Sequence, residues 1–292
     1  MLVTGASGLV GHAVVERMAA DGAAVVSVGK VGLPGTTVSL DLAREPWPAG
    51  PWDVIVHCAA RLPTRFDGPE AEAADATNRL LDARAQDAAA ASGAQLVVLS
   101  SASVYGDTVG EISEDTPPAP VLGYAREKLA TETAIAACGL PATILRLVAP
   151  YGPRQVRNTV LLRFLDAALA GAPLRYFGSG ARTQDFLHVD DIAAAIAGLA
   201  RQRALGSFVL ASGAATTMRD LAELVVKVTG SASPVEAAGR PDPEEGRRVH
   251  YRIDKLTRAT GFLPRVALAD GIASWAATRR AEAALARAGA PR

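Results

Sequence analysis

The chain is poor in lysine, cysteine and aromatic residues, and each shortage narrows what it can be. Only four of its 30 basic side chains are lysines, and 30 acidic side chains bring the formal net charge to zero. A balanced surface carries no electrostatic footprint for nucleic acid or an anionic membrane as main partner, although local arginines can still meet a small anion. Cys58 and Cys138 are too few for a disulfide scaffold and lack metal-ligand spacing. Both lie in apolar runs, so buried free thiols in a reducing cytoplasm are expected. The longest charge-free run, Ala88 to Gly106, has 19 residues but includes four serines, two glycines and a glutamine, which argues against a membrane span. His12, His57 and His250 show no metal spacing, and no metal is expected. Nor is a secretory leader expected, because Gly5 already belongs to the first motif.

What is present reads as globular: 292 residues, 49% hydrophobic and 21% charged, enough for one large domain or two modest ones. The first half alternates β-rich runs with helical patterns. MLVTG, AAVVSVG, TTVSLDL and WDVIVHCAA read as strands, with GLVGHAVVERMAADG as the first helix. An alanine-rich helix over roughly 69–92 follows, then AQLVVLSSASVYG as a strand running into a loop. A helix over roughly 121–138 and a sixth strand in LPATILRLVAP complete the pattern. Apolar strands alternating with helices predict a parallel sheet covered on both faces, a doubly wound α/β (Rossmann) fold. After Pro150 the rhythm loosens into Gly-, Pro- and Arg-rich loops. The expected division is a dinucleotide-binding domain over 1–149, to which 181–212 returns through the buried strand GSFVLAS. A smaller substrate-capping region occupies 150–180 and 213–292.

GASGLVG (5–11) follows the first strand and opens the first helix. Gly5 permits the tight turn, Gly8 lets a pyrophosphate approach the backbone, and Gly11 lets helix and strand pack closely. With Ser7, Leu9 and Val10 these residues form a candidate dinucleotide turn, whose free helix N–H groups favour phosphate. The second strand ends in Gly29 and Lys30, where a ribose-binding carboxylate is the usual residue. Without that carboxylate a 2′-phosphate is not repelled and Lys30 can pair with it, which favours NADP over NAD. The competing reading of Lys30 is a solvated loop lysine. Asp41, next to Leu42, is placed to accept from the adenine amine.

SSASVYG (100–106) ends the fifth strand, at the carboxyl edge where open α/β sheets hold ligands. Its serine either caps a turn or orients a substrate oxygen. Tyr124 and Lys128 lie four apart in LGYAREKLA, hence on one helix face about 5–6 Å apart at Cβ. A hydroxyl, a phenol and an ammonium together form an acid–base set. The lysine charge favours the phenolate of a side chain whose ordinary pKa is about 10, as does a positively charged nicotinamide.

In order, GASGLVG, DL at 41–42, HCAA, SSASVYG, YAREK, LRLVAPYGPRQ, QDFLHVDD and IDKLTRATGFLP resemble the extended short-chain dehydrogenases/reductases, in their NAD-dependent epimerase/dehydratase branch. The resemblance runs from Leu2 to about Trp275. It implies Ser101, Tyr124 and Lys128 as the catalytic triad, with Lys128 also holding the nicotinamide ribose. It places Ala59 and Ala60 along the cofactor, Leu147 and Val148 beside the nicotinamide, and Ser103 on the substrate side. His188 and Asp191 look structural by the same comparison. Two helices, 69–92 and 121–138, are implied as a homodimer interface.

Departures from the pattern bear on the reaction. The acidic pair that dehydratases carry is replaced by Ala102 and Ser103, so dehydration is not expected. Ala149 stands where the family usually has Asn, Gln184 where it has Arg, and Glu72 and Asp75 where it has Asn and Gly. Arg182 and Arg240 are candidates for diphosphate contacts, because guanidinium suits that geometry; the alternative for each is a solvated loop arginine. The favoured reading is an NADP- or NAD-dependent ketoreductase of a nucleotide-linked deoxysugar. Its alternatives are a nucleotide-sugar 4-epimerase with tightly held NAD, a ketoreductase of a non-sugar carbonyl, and a non-catalytic dinucleotide sensor.

Overall fold

The computed structural model describes residues 1–30 and 38–288. The chain enters through β1 (Leu2–Thr4), α1 (Leu9–Ala20), β2 (Val26–Gly29), β3 (Val38–Ser39), β4 (Val54–His57) and α2 (Pro69–Ser92). It continues through β5 (Gln95–Ser101), a 3₁₀ turn (Ala102–Tyr105), β6 (Gly110–Ile112), α3 (Gly123–Cys138), β7 (Ala142–Leu147) and β8 (Ala149–Tyr151). Next come α4 (Val160–Leu169), β9 (Leu174–Tyr176), β10 (Thr183–His188), α5 (Val189–Arg201) and β11 (Gly206–Leu210). The last elements are β12 (Ala215–Thr217), α6 (Met218–Thr229), β13 (Val235–Ala237), β14 (Val249–Tyr251), α7 (Asp254–Thr260) and α8 (Leu268–Ala288).

Seven strands form one sheet in the order β11-β7-β5-β4-β1-β2-β3, with every neighbouring pair parallel. The order reverses between β1 and β4, which opens a crevice beyond the carboxyl ends of these strands. Side chains alternate across a strand, so each strand supplies both faces of the sheet. Val3, Val56, Val97 and Leu145 point into a core shared with α1 and α5. Their neighbours Leu2, Ile55, Leu96, Val98 and Ile144 join Leu81, Ala85 and Ala89 of α2 and Ile135 of α3 on the opposite face. The doubly wound parallel sheet expected from the alternating pattern is therefore the observed fold, and β11 does return to its edge.

Helix α2 starts with Pro69 and carries Glu70 and Glu72 in its first turn, which suits the positive end of its dipole. Its buried stripe, at Ala71, Ala74, Asn78, Leu81, Asp82, Ala85 and Ala89, follows helical spacing. β2 begins at Val26 rather than Ala23, since Ala23 and Ala24 are exposed and pack against nothing that a strand would need. Of the run TTVSLDL, Thr36 and Thr37 lie outside the described residues, β3 covers Val38–Ser39, and Asp41–Leu42 leave the sheet as a turn. A separate hydrophobic cluster forms from α4, α6, α8 and β9, through Leu161, Phe164, Leu165, Leu174, Leu221 and Trp275. Beside it a three-stranded sheet runs β12-β10-β8.

The face of the sheet under α3 holds a buried ion pair. Arg146 of β7 donates to Glu132 of α3 at 2.7 Å and to the Tyr105 hydroxyl at 2.9 Å, and Ser100 donates to Glu132 at 2.5 Å. Both charged residues are buried. Removing one member strands the other charge in a low-dielectric site, at a cost of about 3–5 kcal/mol. Glu132→Gln is therefore expected to lower unfolding free energy by about that amount in urea titration. The double change Glu132→Leu/Arg146→Met is expected to cost clearly less.

Candidate active site

The glycine turn sits where the sheet order reverses. Gly5 follows β1 with φ +71°, and a Cβ there would lie 2.6 Å from the backbone nitrogen of Ala59 at the end of β4. A Cβ on Gly11 would lie 2.2 Å from the Gly5 carbonyl oxygen, so only glycine lets α1 pack this close to the turn. Gly8 is the N-cap of α1, with no side chain capping that end and no acidic residue in the first turn. The first N–H groups of α1 are thus left for an anion. These features fit a dinucleotide pyrophosphate.

Ser101 ends β5 and caps the 3₁₀ turn. Its Oγ accepts from the Ser103 backbone N–H at 3.1 Å and from the Ser103 hydroxyl at 2.8 Å. With both acceptances made within the turn, its own O–H is free to donate outward. α3 packs against this turn and carries Tyr124 and Lys128 on one face. Glu132, a further four residues along, extends the same stripe, so the sheet-facing side of α3 is polar where an ordinary helix would be apolar. Tyr124 packs its ring 5.3 Å from that of Phe66, and Arg157 lies over the other part of this pair, 4.8 Å from the Phe66 centroid.

Burial raises the Tyr124 phenol above its ordinary value, against the lowering effect of the Lys128 charge; Asp82 and Asp75 add to the rise and Arg157 opposes it. The expected lowering by Lys128 is present, but desolvation outweighs it. A positive charge brought next to the ring acts in the same sense as Lys128.

Lys128 is buried and pairs with Asp82 of α2 at 3.6 Å. Asp82 also accepts from Thr131 at 2.7 Å and meets His57 Nε2 at 3.2 Å, while His57 Nδ1 lies 2.7 Å from the Thr4 hydroxyl. Burial pushes the Asp82 carboxyl up, but the His57 hydrogen bond, the Lys128 charge and Thr131 outweigh it and hold it down at about 2. Thr4, His57, Asp82 and Thr131 were not singled out from the sequence as site residues. The available signal was a carboxylate at 82 in helical spacing with the apolar positions of α2.

Other expected residues fall as follows. Ala59 lies beside the turn, its N–H 3.4 Å from the Thr4 hydroxyl, and Ala60 is exposed next to it. Val148 is buried and Leu147 half-buried at the end of β7, two strands from β1's neighbour β4. Val10 and Leu42 are largely committed to the hydrophobic cores. Asp41 accepts from the Ala43 N–H at 3.0 Å, and Lys30 is exposed at the end of β2. Arg182 lines a cavity of about 470 Å³ with Arg163, Arg175, Tyr176 and Phe177, and pairs with Asp242 at 2.9 Å and Glu244 at 3.2 Å. Arg240 is exposed and outside that cavity's lining. His188 caps α5, and Asp191 accepts from the N–H groups of Arg265 and Val266 at 3.0 Å each, both structural tasks. Cys138 departs from expectation: it is exposed, because it ends α3 just before the Gly139 cap. Burial does push the Cys58 thiol up to about 12. Among the described residues no group of three or more His, Cys, Asp or Glu side chains suits a metal ion, and no helix is long and apolar enough to cross a membrane.

A doubly wound sheet, a glycine turn at its switch point, and a helix carrying Tyr124 and Lys128 packed on the turn that Ser101 caps form the frame of a dinucleotide-dependent enzyme of the α/β class. The model of the NAD dependent epimerase/dehydratase family matches residues 1–210, and the chain belongs to that family. A UDP-glucose 4-epimerase of Mycolicibacterium smegmatis is 31% identical over 309 aligned positions, covering 93% of this chain and 96% of the relative. Among solved structures, MoeE5 in complex with UDP-glucose and NAD is 29% identical, with TM-score 0.80, over 96% of this chain and 99% of its own. The UDP-glucose 4-epimerase of Thermus thermophilus in complex with NAD is 25% identical, with TM-score 0.82, over 96% and 98%.

Because Gly11 has no room for a methyl group, Gly11→Ala is expected to abolish dinucleotide binding in a calorimetric titration. The far-UV circular dichroism of the variant should retain the helix and strand content of the parent.

Proposed function

We propose that this enzyme is an NAD-dependent 4-epimerase of a UDP-linked sugar. The reading is supported by Tyr124 and Lys128 sharing one face of α3, which packs on the 3₁₀ turn that Ser101 caps. It is supported by the UDP-sugar epimerase names and NAD complexes of the relatives above. The ketoreductase and NADP preferences drawn from Lys30 give way: they rest on one exposed lysine, while the relatives with solved structures hold NAD.

The residues present fit the cofactor: Gly5, Gly8 and Gly11 leave backbone room for its pyrophosphate, and the open end of α1 faces that charge. Ser7, Leu9, Ala59, Ala60, Leu147 and Val148 line its path, with Lys128 at the ribose. When bound, NAD supplies a reversible hydride acceptor. Tyr124 takes the proton from the C4 hydroxyl as the carbon is oxidised, and later returns it to the same oxygen. Ser101, whose acceptor sites are filled by Ser103, donates a hydrogen bond to that oxygen in both directions. The Lys128 charge lowers the energy of the phenolate that this exchange requires. Inversion would demand that the ketone turn its other face to the returning hydride, so the nucleotide is held while the sugar turns. The cavity lined by Arg182, Tyr176 and Phe177, whose lining apart from Arg182 falls in 150–180 and 213–292, is assigned to the nucleotide diphosphate. Arg182 leaves part of its pairing with Glu244 to meet it.

A homodimer through α2 and α3, which pack on each other and expose Leu80 and Leu122, belongs to the same proposal, as does a cytoplasmic location. Light scattering is expected to return twice the monomer mass.

Denaturing the purified protein is expected to release NAD, and UDP-galactose is expected to convert to UDP-glucose without added cofactor. Tyr124→Phe should lower kcat by about 100- to 10,000-fold with dinucleotide affinity retained. Stoichiometric consumption of NADPH against a ketone, with no epimerisation, would return the reading to a reductase.

A further inference from the structure

Behind the candidate triad lies a buried polar chain that proton and hydride exchange do not require. It begins at the backbone of the switch point. The Ala59 N–H points to the Thr4 oxygen at 3.4 Å, and the Thr4 hydroxyl lies 2.7 Å from His57 Nδ1. His57 Nε2 lies 3.2 Å from Asp82 Oδ1, and Asp82 Oδ2 receives Thr131 at 2.7 Å and faces Lys128 Nζ at 3.6 Å. One assignment of protons satisfies every contact. Thr4 accepts from Ala59 and donates to Nδ1, and the Nε2–H donates to Asp82. The members are shut away from water: relative exposure is 0% for Thr4, 2% for His57, 5% for Asp82 and 4% for Lys128.

Strand register explains why the chain forms. Thr4 and His57 are cross-strand partners, and both share the parity of Leu2 and Ile55, which face α2. Asp82 of α2 meets His57 on that face, and Lys128 of α3 completes the line. A buried carboxylate with this many donors costs desolvation energy that plain packing would avoid. An apolar residue at 82 would leave the Lys128 ammonium and the His57 N–H buried without a partner, so the carboxylate answers to the lysine and the histidine together.

We propose that Asp82 is a positioning residue. It holds the Lys128 ammonium against the Tyr124 face of α3 and, by its charge, sets the pH window in which Tyr124 exchanges its proton; His57 and Thr4 fix its orientation from the switch point. This rests on the proton-transfer assignment of Tyr124 and Lys128 made above. The charged groups facing Tyr124 are Lys128 on its own helix, Asp82 and Asp75 on α2, and Arg157 after β8; His57 on β4 faces Asp82. Of these, Asp82 is a negative charge that favours the protonated phenol. Its removal shifts the balance toward phenolate.

Asp82→Asn keeps the shape and can keep its oxygen on the His57 N–H, turns an NH2 toward Thr131, whose hydroxyl then accepts, and removes the charge. The acid limb of the kcat/KM profile is expected to move to lower pH by about one unit, and Asp82→Glu to keep the parent limb. A ligand-free readout separates this from the choice of substrate. Phenolate absorbance of Tyr124, taken as the difference between Asp82→Asn and Asp82→Asn/Tyr124→Phe, is expected to appear at lower pH than the corresponding parent difference. A protein that converts no nucleotide sugar still yields that titration, so failure of the epimerase reading and failure of this one are distinct. An unmoved or alkaline-shifted limb overturns the proposal. If Asp82→Asn does not fold, His57→Gln carries the test: kcat is expected to fall about tenfold with KM and the acid limb unchanged, because the charge stays while its support is lost. Parent-like kcat in that variant overturns it.

Discussion

Two helices place charged side chains against a parallel sheet, and most of the site's geometry follows from how the sheet meets them. The strands that run under α2 and α3 end, on that face, in Thr4, His57, Ser100 and Arg146 rather than in Val, Ile or Leu. The apolar alternation thus turns polar at the carboxyl edge. Asp82 meets His57, which in turn meets Thr4, and pairs with Lys128, while Glu132 meets the last two. Buried charges persist only where partners share the desolvation cost, and here each partner comes from a different segment of chain. The helices are therefore registered along the sheet by polar contacts as well as by packing. Tyr124 inherits its place from that registration.

Much of this was legible in the sequence, for reasons that are themselves physical. The glycine turn needs backbone room and a positive φ, which glycine alone supplies, so the requirement is written locally at positions 5 and 11. The strand-to-helix rhythm marks a sheet buried on both faces, and Tyr124 with Lys128 is a helix-face pattern spanning four residues. What was hidden is nonlocal. Asp82 looks like one more solvated charge on an alanine-rich helix until α3 and β4 close over it. Glu132 and Arg146 are 14 residues apart on separate elements and become a pair only through the β5–β7 register. Cys138 misled in the opposite direction, because an apolar run at a helix end can still finish on the surface.

The pKa of Tyr124 depends on more than the spacing that pairs it with Lys128. Spacing identifies the lysine that lowers it. Spacing says nothing of the solvent excluded around the ring or of the two aspartates on the neighbouring helix, and those raise it. The functional value of the phenol is the difference between these opposing effects, each set by a different element of the fold.

The hydrophobic interior divides into two parts that share no buried side chain: the clusters on the two faces of the sheet, and the cluster formed by α4, α6, α8 and β9. Substitutions that reshape the second leave the packing behind the redox machinery nearly untouched. The fold thereby separates two kinds of mutational risk. Residues of the second part can therefore vary while the sheet that carries the glycine turn keeps its own packing.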